Sequence, residues 1–250
     1  MTAIDPVRHP VLLVSDLHLH PDRPDLLDAW KAFLGGPARC AEALYILGDL
    51  FDAWAGDDDL EDPFSASVTA PLAECAVSGV KLHVLHGNRD FLIGRAFAAR
   101  VGAALENDPS FLPSHPHRTR TLVTHGDALC TDDTDYQRFR ATVRSTAWQS
   151  GFLDRPLPER KAEIASMRNR SESEKSRKPA GIMDVNASAV ADLLRGNGYP
   201  RIIHGHTHRP GMHAHEVDGR RCERWVLPDW VDSARYLKLV ADVPEFAELR

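Results

Sequence analysis

Ala43-Leu-Tyr-Ile-Leu-Gly-Asp49 is a five-residue apolar run that ends on a glycine and a carboxylate. It is too short for a helix and is bounded by a turn signal, so it reads as a buried strand with an acid at its carboxyl end. The same pattern recurs on both sides. Val11-Leu-Leu-Val-Ser precedes Asp16-Leu-His18, and Val80-Lys-Leu-His-Val-Leu precedes His86-Gly-Asn-Arg-Asp90. Thr121-Leu-Val-Thr precedes His125-Gly, and Arg201-Ile-Ile precedes His204-Gly-His-Thr-His208. Helix-like segments fill residues 24–34, 65–78 and 91–101 between the early runs. Alternation of this kind predicts an α/β fold with helices on the sheet faces. In such sheets ligands gather outside the carboxyl ends of the strands, and here each of those ends carries Asp, Asn or His. Short strand-like runs after Pro210, such as Arg224-Trp-Val-Leu and Tyr236-Leu-Lys-Leu-Val, predict a second sheet.

Composition narrows the function classes. The 250 residues carry 30 Lys and Arg against 36 Asp and Glu, a net charge of −6, which disfavours a general nucleic-acid face. The four cysteines form no C-x-x-C pair, so neither a disulfide scaffold nor a zinc ribbon is expected, and a reducing cytosol fits. The apolar run 11–14 is too short for a signal peptide, and no stretch approaches the roughly 18 apolar residues of a spanning helix. The chain reads as one domain over 1–250, with residues 136–178 as a helical insertion. That insertion presents Phe139, Val143, Trp148, Phe152, Leu153 and Leu157, and its segment 154–178 holds eight basic against five acidic residues. A basic amphipathic segment in an acidic chain suits a cap over a site or a contact with an anionic membrane surface. A solvated helical pair on the core is the plain alternative.

Thirteen histidines invite a search for metal ligands. Alternation along an extended chain places residues i and i+2 on one side, so Asp16 with His18, and His206 with His208, can converge. Gly-Asp alone is a turn, and Gly-Asn-Arg-Asp alone is a turn with helix-capping residues. In this order, each behind a strand, the motifs instead define a donor set of carboxylate, imidazole and amide oxygen without thiolate. That set suits Mn²⁺, Mg²⁺, Fe²⁺ or Zn²⁺. The seven donors Asp16, His18, Asp49, Asn88, His125, His206 and His208 exceed one tetrahedral ion and suit two ions sharing a carboxylate. Such pairs clamp the attacking and leaving oxygens of an in-line displacement at phosphorus.

The order D-x-H, G-D, G-N-[RH]-[DE], H-G, G-H-x-H resembles the calcineurin-like metallophosphoesterase superfamily. The longer strings 15–19, 44–52, 86–92, 125–133, 182–186 and 203–210 resemble one family within it, the UDP-2,3-diacylglucosamine pyrophosphate hydrolases of lipid A biosynthesis. The resemblance runs from about residue 11 to 210. It implies a β-sandwich flanked by helices with a helical cap. It implies two Mn²⁺ ions, one held by Asp16, His18, Asp49 and His208 and the other by Asp49, Asn88, His125 and His206, with Asp49 bridging. It implies cleavage of UDP-2,3-diacylglucosamine at the α-phosphorus to UMP and 2,3-diacylglucosamine 1-phosphate. Asn88 and Arg89 are the implied catalytic groups, Arg89 offering donors to a phosphate oxygen. Asn88, Arg89, Asp133, Ser171, Lys175, Lys178 and His206 are the implied substrate contacts. Lys175 stands where the family carries a small polar residue, and Pro228 stands where it carries Gly before Asp-Trp. The implied location is peripheral, on the cytoplasmic face of the inner membrane.

Other residues are expected to support or to stay outside the site. His204, Asp52, Asp90 and Asp127 are expected to orient ligands or cap helices, and His20 to lie beside the site or at the surface. Asp57-Asp58-Asp59 reads as a solvated loop, and His115, His117, His213 and His215 as exposed. Phe139, Val143, Trp148, Phe152 and Leu153 are expected to line an apolar groove, with the basic residues facing phosphates or headgroups. A related phosphodiesterase of a soluble nucleotide, and a non-catalytic scaffold on this fold, are the competing readings. The apolar cap favours a lipid-bearing substrate over the first, and the complete ligand set disfavours the second.

Overall fold

A computed structural model describes residues 9–113, 119–175 and 182–249, with side chains up to 170 and from 182. In chain order the strands are β1 (Val11–Val14), β2 (Ala43–Leu47), β3 (Lys81–Leu85), β4 (Ala103–Leu105), β5 (Ser110–Phe111) and β6 (Thr121–Thr124). They continue with β7 (Arg201–His204), β8 (Gly211–Val217), β9 (Arg220–Val226), β10 (Arg235–Val240) and β11 (Val243–Glu248). The helices are α1 (Pro24–Gly35), α2 (Pro63–Val77), α3 (Arg95–Val101), α4 (Thr134–Val143), α5 (Thr146–Leu153), α6 (Leu157–Lys175) and α7 (Ala187–Gly196).

Two mixed sheets face each other. One runs β11-β10-β1-β2-β3-β4, with β1 to β4 parallel, and the other runs β5-β6-β7-β9-β8, with β6, β7 and β9 parallel. The period-2 alternation of the strands sorts their side chains. Leu13, Tyr45, Leu47 and Leu85 point inward and meet Val123, Ile203 and Leu227 of the opposite sheet. Leu12, Val14, Leu44, Ile46 and Val84 point outward and pack under α1, α2 and α3 with Trp30, Phe33, Leu72 and Phe97. On the far face Ile202 packs with Val190 and Leu194 of α7. The molecule is thus a β-sandwich flanked by helices.

Two sequence expectations are corrected. Of the runs after Pro210, Arg224-Trp-Val-Leu lies in the second sheet as expected, but the run 236–240 does not. β8 and β9 extend the β6–β7 sheet, and β10 with β11 adds antiparallel to β1. The third helix starts at Arg95 rather than 91, because Phe91, Leu92 and Ile93 are buried in a turn and Asp57 accepts the N–H groups of Gly94 and Phe97, both at 2.9 Å.

Candidate metal centre

The carboxyl ends of β1, β2 and β3 in one sheet and of β6 and β7 in the other open onto the same place. Asp16, His18, Asp49, His206 and His208 all have positive φ, between 47° and 66°. The side chains therefore converge through left-handed turns just past the strands and not through extended i, i+2 alternation. Non-glycine residues in this region each cost on the order of 1–3 kcal/mol and persist only where surroundings over-determine them. The surroundings do so here. Asp16 N–H donates to Gly48 O at 3.2 Å, His18 N–H to Asp49 O at 3.0 Å, and His206 N–H to Asp16 Oδ2 at 2.8 Å. Two glycines permit the approach. A Cβ on Gly87 would lie 2.0 Å from Asp49 Oδ1, and one on Gly205 would lie 2.2 Å from Asp16 Oδ2.

All seven sequence-derived donors meet. Asp16, His18 and His208 form one group whose ligating atoms lie within 4.8 Å of one another, and Asp16, Asp49 and His125 form a second. Asp16 belongs to both groups, and Asp49 Oδ2 of the second is 3.9 Å from His18 Nε2 and 3.9 Å from His125 Nε2, so it faces an imidazole of each. Asn88 Oδ1 is 3.0 Å from His125 Nε2 and 2.8 Å from His206 Nδ1. His208 Nε2 is 3.4 Å from Asp16 Oδ1, a buried oxygen that accepts no hydrogen bond. The outer nitrogens are committed elsewhere. His125 Nδ1 donates to Leu47 O at 2.8 Å, and His208 Nδ1 lies 2.8 Å from Asp229 Oδ2. Partners of that kind fix ligand orientation and raise basicity.

The charges agree with a cation site. Burial and the neighbouring Asp90 and Asp16 push the Asp49 carboxyl up to about 7 against the opposing His125. Burial also penalises His125, but Asp49, Asp16 and Asp127 outweigh it and raise the imidazole to about 9. His208, likewise penalised by burial, is raised to about 10 by Asp16 and Asp229. A carboxylate driven toward neutrality beside another buried carboxylate, and an unsatisfied Asp16 oxygen aimed at imidazoles, fit a hard or borderline divalent cation.

The remaining expectations divide. Arg89 is half-buried, and its backbone N–H donates to Asp49 Oδ1 at 2.8 Å. Asp133 N-caps α4, its Oδ1 accepting from Tyr136 N–H at 3.1 Å. The side chains of Ser171 and Lys175, together with Lys178, His115 and His117, lie outside the described residues. His20 is half-buried beside Asp22 and lines a cavity next to His18. Asp90 is an orienting residue, accepting from Gly87, Asp49 and Leu50 N–H groups. Asp127 is another, with Oδ2 accepting from Tyr136 Oη at 2.6 Å and Arg140 Nε at 2.8 Å. Tyr136, whose ring lies 6.0 Å from that of His206, carried no motif in the sequence, and neither did Arg140. Asp229 was marked only by the Pro-Asp-Trp string. His213 and His215 are not exposed as expected: both are half-buried, and His215 accepts from Arg224 Nε at 3.0 Å.

The cap differs most from its reading. Asp57-Asp58-Asp59 is not a solvated loop but the seat of α6. The Arg160 side chain is 2% exposed and donates to Ala55 O and Asp58, while Lys161 Nζ pairs with Asp59 at 2.6 Å and Arg168 Nε with Asp52 at 2.7 Å. These three cations face the chain's own acids. Val143 and Phe152 are buried in the main core rather than lining a groove, and Trp148 stacks on Phe152 at 4.6 Å. Phe139 and Leu153 stay exposed at 40% and 41%. A cavity of about 340 Å³ lies between His18, Arg23, Leu26, Asp52, Arg168 and Val231, so Arg168 of α6 borders a space beside the metal ligands. Among the described residues no helix is long and apolar enough to cross a membrane.

Residues 9–210 match the calcineurin-like phosphoesterase family, and the chain belongs to that family. Within it, the chain is 54% identical to the UDP-2,3-diacylglucosamine hydrolase of Aromatoleum aromaticum over 91% of each chain. It is 46% identical to the protein of the same name from Chromobacterium violaceum, over 87% of this chain and 89% of that one. It is 42% identical to the one from Chromohalobacter salexigens, over 88% of each.

Proposed function

We propose that this protein hydrolyses the diphosphate of UDP-2,3-diacylglucosamine at the α-phosphorus, so that water and substrate give UMP and 2,3-diacylglucosamine 1-phosphate in lipid A biosynthesis. The dimetal part of the reading rests on one observation: Asp49 Oδ2 stands 3.9 Å from an imidazole of each donor group. Asp16, His18, Asp49 and His208 would hold one ion, and Asp49, Asn88, His125 and His206 the other. The expected ion is Mn²⁺, to which this oxygen and imidazole set is suited. Bound ions of this kind lower the pKa of a water and neutralise charge on the attacking and leaving oxygens. The chain's own contribution is position. Asp90 and Asp229 orient ligands, and Arg89 supplies fixed donors to a phosphate oxygen as negative charge develops. Asn88, Asp133, Ser171, Lys175, Lys178 and His206 complete the proposed substrate contacts.

The names of the relatives support the lipid-linked nucleotide as substrate, and Arg168 of α6, bordering the space beside the ligands, supports a covered site. Residues 1–250 act as one phosphoesterase domain, with 136–178 as its cap. Exposed Phe139 and Leu153, together with a lipid-linked substrate, support a peripheral position on the inner membrane, at its cytoplasmic face. The test is UMP release from UDP-2,3-diacylglucosamine by chelator-treated protein with and without added Mn²⁺. Metal-dependent release is expected. No UMP under either condition overturns the substrate, and equal release overturns the metals.

A further inference from the structure

Arg224 of β9 is buried, 6% exposed, and among the described residues it pairs with no carboxylate. It spends its donors on two imidazoles instead. Nη1 lies 3.0 Å from His204 Nε2, and Nε lies 3.0 Å from His215 Nε2. A guanidinium has five N–H donors and accepts nothing, so each imidazole must turn an unprotonated Nε2 toward it. The arginine keeps Nε2 of His204 unprotonated while the Gly205 carbonyl faces Nδ1, so the two partners together hold the His204 proton on Nδ1.

His204 Nδ1 lies 2.8 Å from Gly205 O, so this N–H donates to the carbonyl. Thr207 N–H donates to the same oxygen at 2.8 Å. The N–H of that same peptide unit belongs to His206 and donates to Asp16 Oδ2 at 2.8 Å. The Gly205–His206 peptide plane is therefore clamped at both ends, by His204 at its carbonyl and by Asp16 at its N–H. It sits at the head of the strained turn that delivers His206 and His208. The His204 ring leaves no room for a side chain at residue 126, where a Cβ on Gly126 would lie 2.6 Å from Nδ1. With both nitrogens committed, His204 is not a ligand, although it stands in the His-x-His-x-His run.

We infer that Arg224 is a positioning residue for the metal centre, holding His204 in its Nδ1–H tautomer so that the Gly205–His206 peptide is aimed at Asp16 and the two histidines beyond it are presented correctly. Residues acting in this indirect way typically contribute about 10–100-fold in metal affinity or activity. The inference rests on the dimetal reading only for its metal and activity measurements, since the tautomer is a property of the chain itself.

The experiment compares wild type with Arg224→Met, which keeps the apolar stem, and Arg224→Lys, which keeps a donor. Long-range ¹H–¹⁵N correlation on the full chain after chelation reads the His204 tautomer. Titration with MnCl₂ reads metal affinity, and UMP release reads kcat and KM. The expected result is loss of the single Nδ1–H tautomer in Arg224→Met, about 10–100-fold weaker Mn²⁺ binding and a fall in kcat with KM within about twofold. Arg224→Lys should recover most of each. Should Arg224→Met not fold, Arg224→Gln serves, since one amide donor reaches one imidazole only. An unchanged tautomer with wild-type Mn²⁺ affinity in the folded variant overturns the inference, as does loss of stability alone. Wild type that binds no Mn²⁺ overturns the dimetal reading instead, and leaves the tautomer measurement to decide Arg224.

Discussion

The Asp90 carboxylate holds the backbone of Asp49 from outside the ligand shell: Oδ1 accepts the Asp49 N–H at 3.2 Å and Oδ2 accepts that of Leu50 at 2.8 Å. Oδ1 also takes the Gly87 N–H at 2.8 Å. One fully buried side chain thus ties the Gly-Asp turn to the Gly-Asn turn. Asp90→Asn replaces an acceptor with a donor facing a backbone N–H. Each buried group left unsatisfied costs about 1–3 kcal/mol. Urea denaturation should show a loss of at least that size, with Mn²⁺ affinity falling alongside it. Wild-type stability would remove Asp90 from this role.

Asp49→Ala should abolish binding of both ions, because Asp49 Oδ2 faces an imidazole of each donor group at 3.9 Å. Elemental analysis after equilibration with MnCl₂ and gel filtration checks it. Retention of two tightly held ions would sink the bridging assignment.

Arg160→Met should loosen α6 selectively. The variant leaves Ala55 O and Asp58 without their donor, and a buried acceptor left unsatisfied costs about 1–3 kcal/mol. Because Asp58 is more than half exposed, losing its ion pair adds no more than about 1 kcal/mol. Hydrogen exchange should accelerate in residues 157–170 while β1, β2 and β3 amides keep their protection. Uniform acceleration would mean that the contact supports the whole fold and not the cap.

The apolar residues of the cap should separate into two kinds. Phe152→Ala should cost about 3–5 kcal/mol as a core truncation. Phe139→Ser with Leu153→Ser should change stability by less than about 0.5 kcal/mol per site, since both side chains are exposed. The double variant should bind anionic vesicles less well and turn over the diacylated substrate more slowly, with bis-p-nitrophenyl phosphate hydrolysed as before. Equal loss on both substrates would end the membrane-contact reading.

Burial, followed by the Arg224 charge, holds His204 down to about 3. Its unfolded value is near 6.5, so between those limits the unfolded chain binds the extra proton and stability falls as pH falls, by up to about 1.4 kcal/mol per unit. Asp49, raised to about 7, acts in the opposite sense over much of that window. The difference between wild type and His204→Asn isolates the histidine. Chelator-treated wild type should lose stability relative to the variant from pH 6.5 toward 4. Parallel curves would refute the assignment.

Much of this protein was written locally. Five short apolar runs with acids or imidazoles behind them set the α/β class and the seven donors, because strand length, turn glycines and donor type are properties of short stretches. Partner choice was not local. Whether β10 joins β1 or stays with β9 depends on which inner face needs covering, and period-2 alternation is the same in either case. The Asp57–Asp59 run looked solvated because its cations, Lys161 and Arg160, lie a hundred residues on. Val143 and Phe152 read as groove lining because a helical apolar stripe does not say whether core or ligand covers it. Asp16 and His18 illustrate both halves. Their chemistry and spacing named them as ligands, but they meet through left-handed turns held by Gly48 O, Asp49 O and the close approach of Gly205, all brought in from other strands.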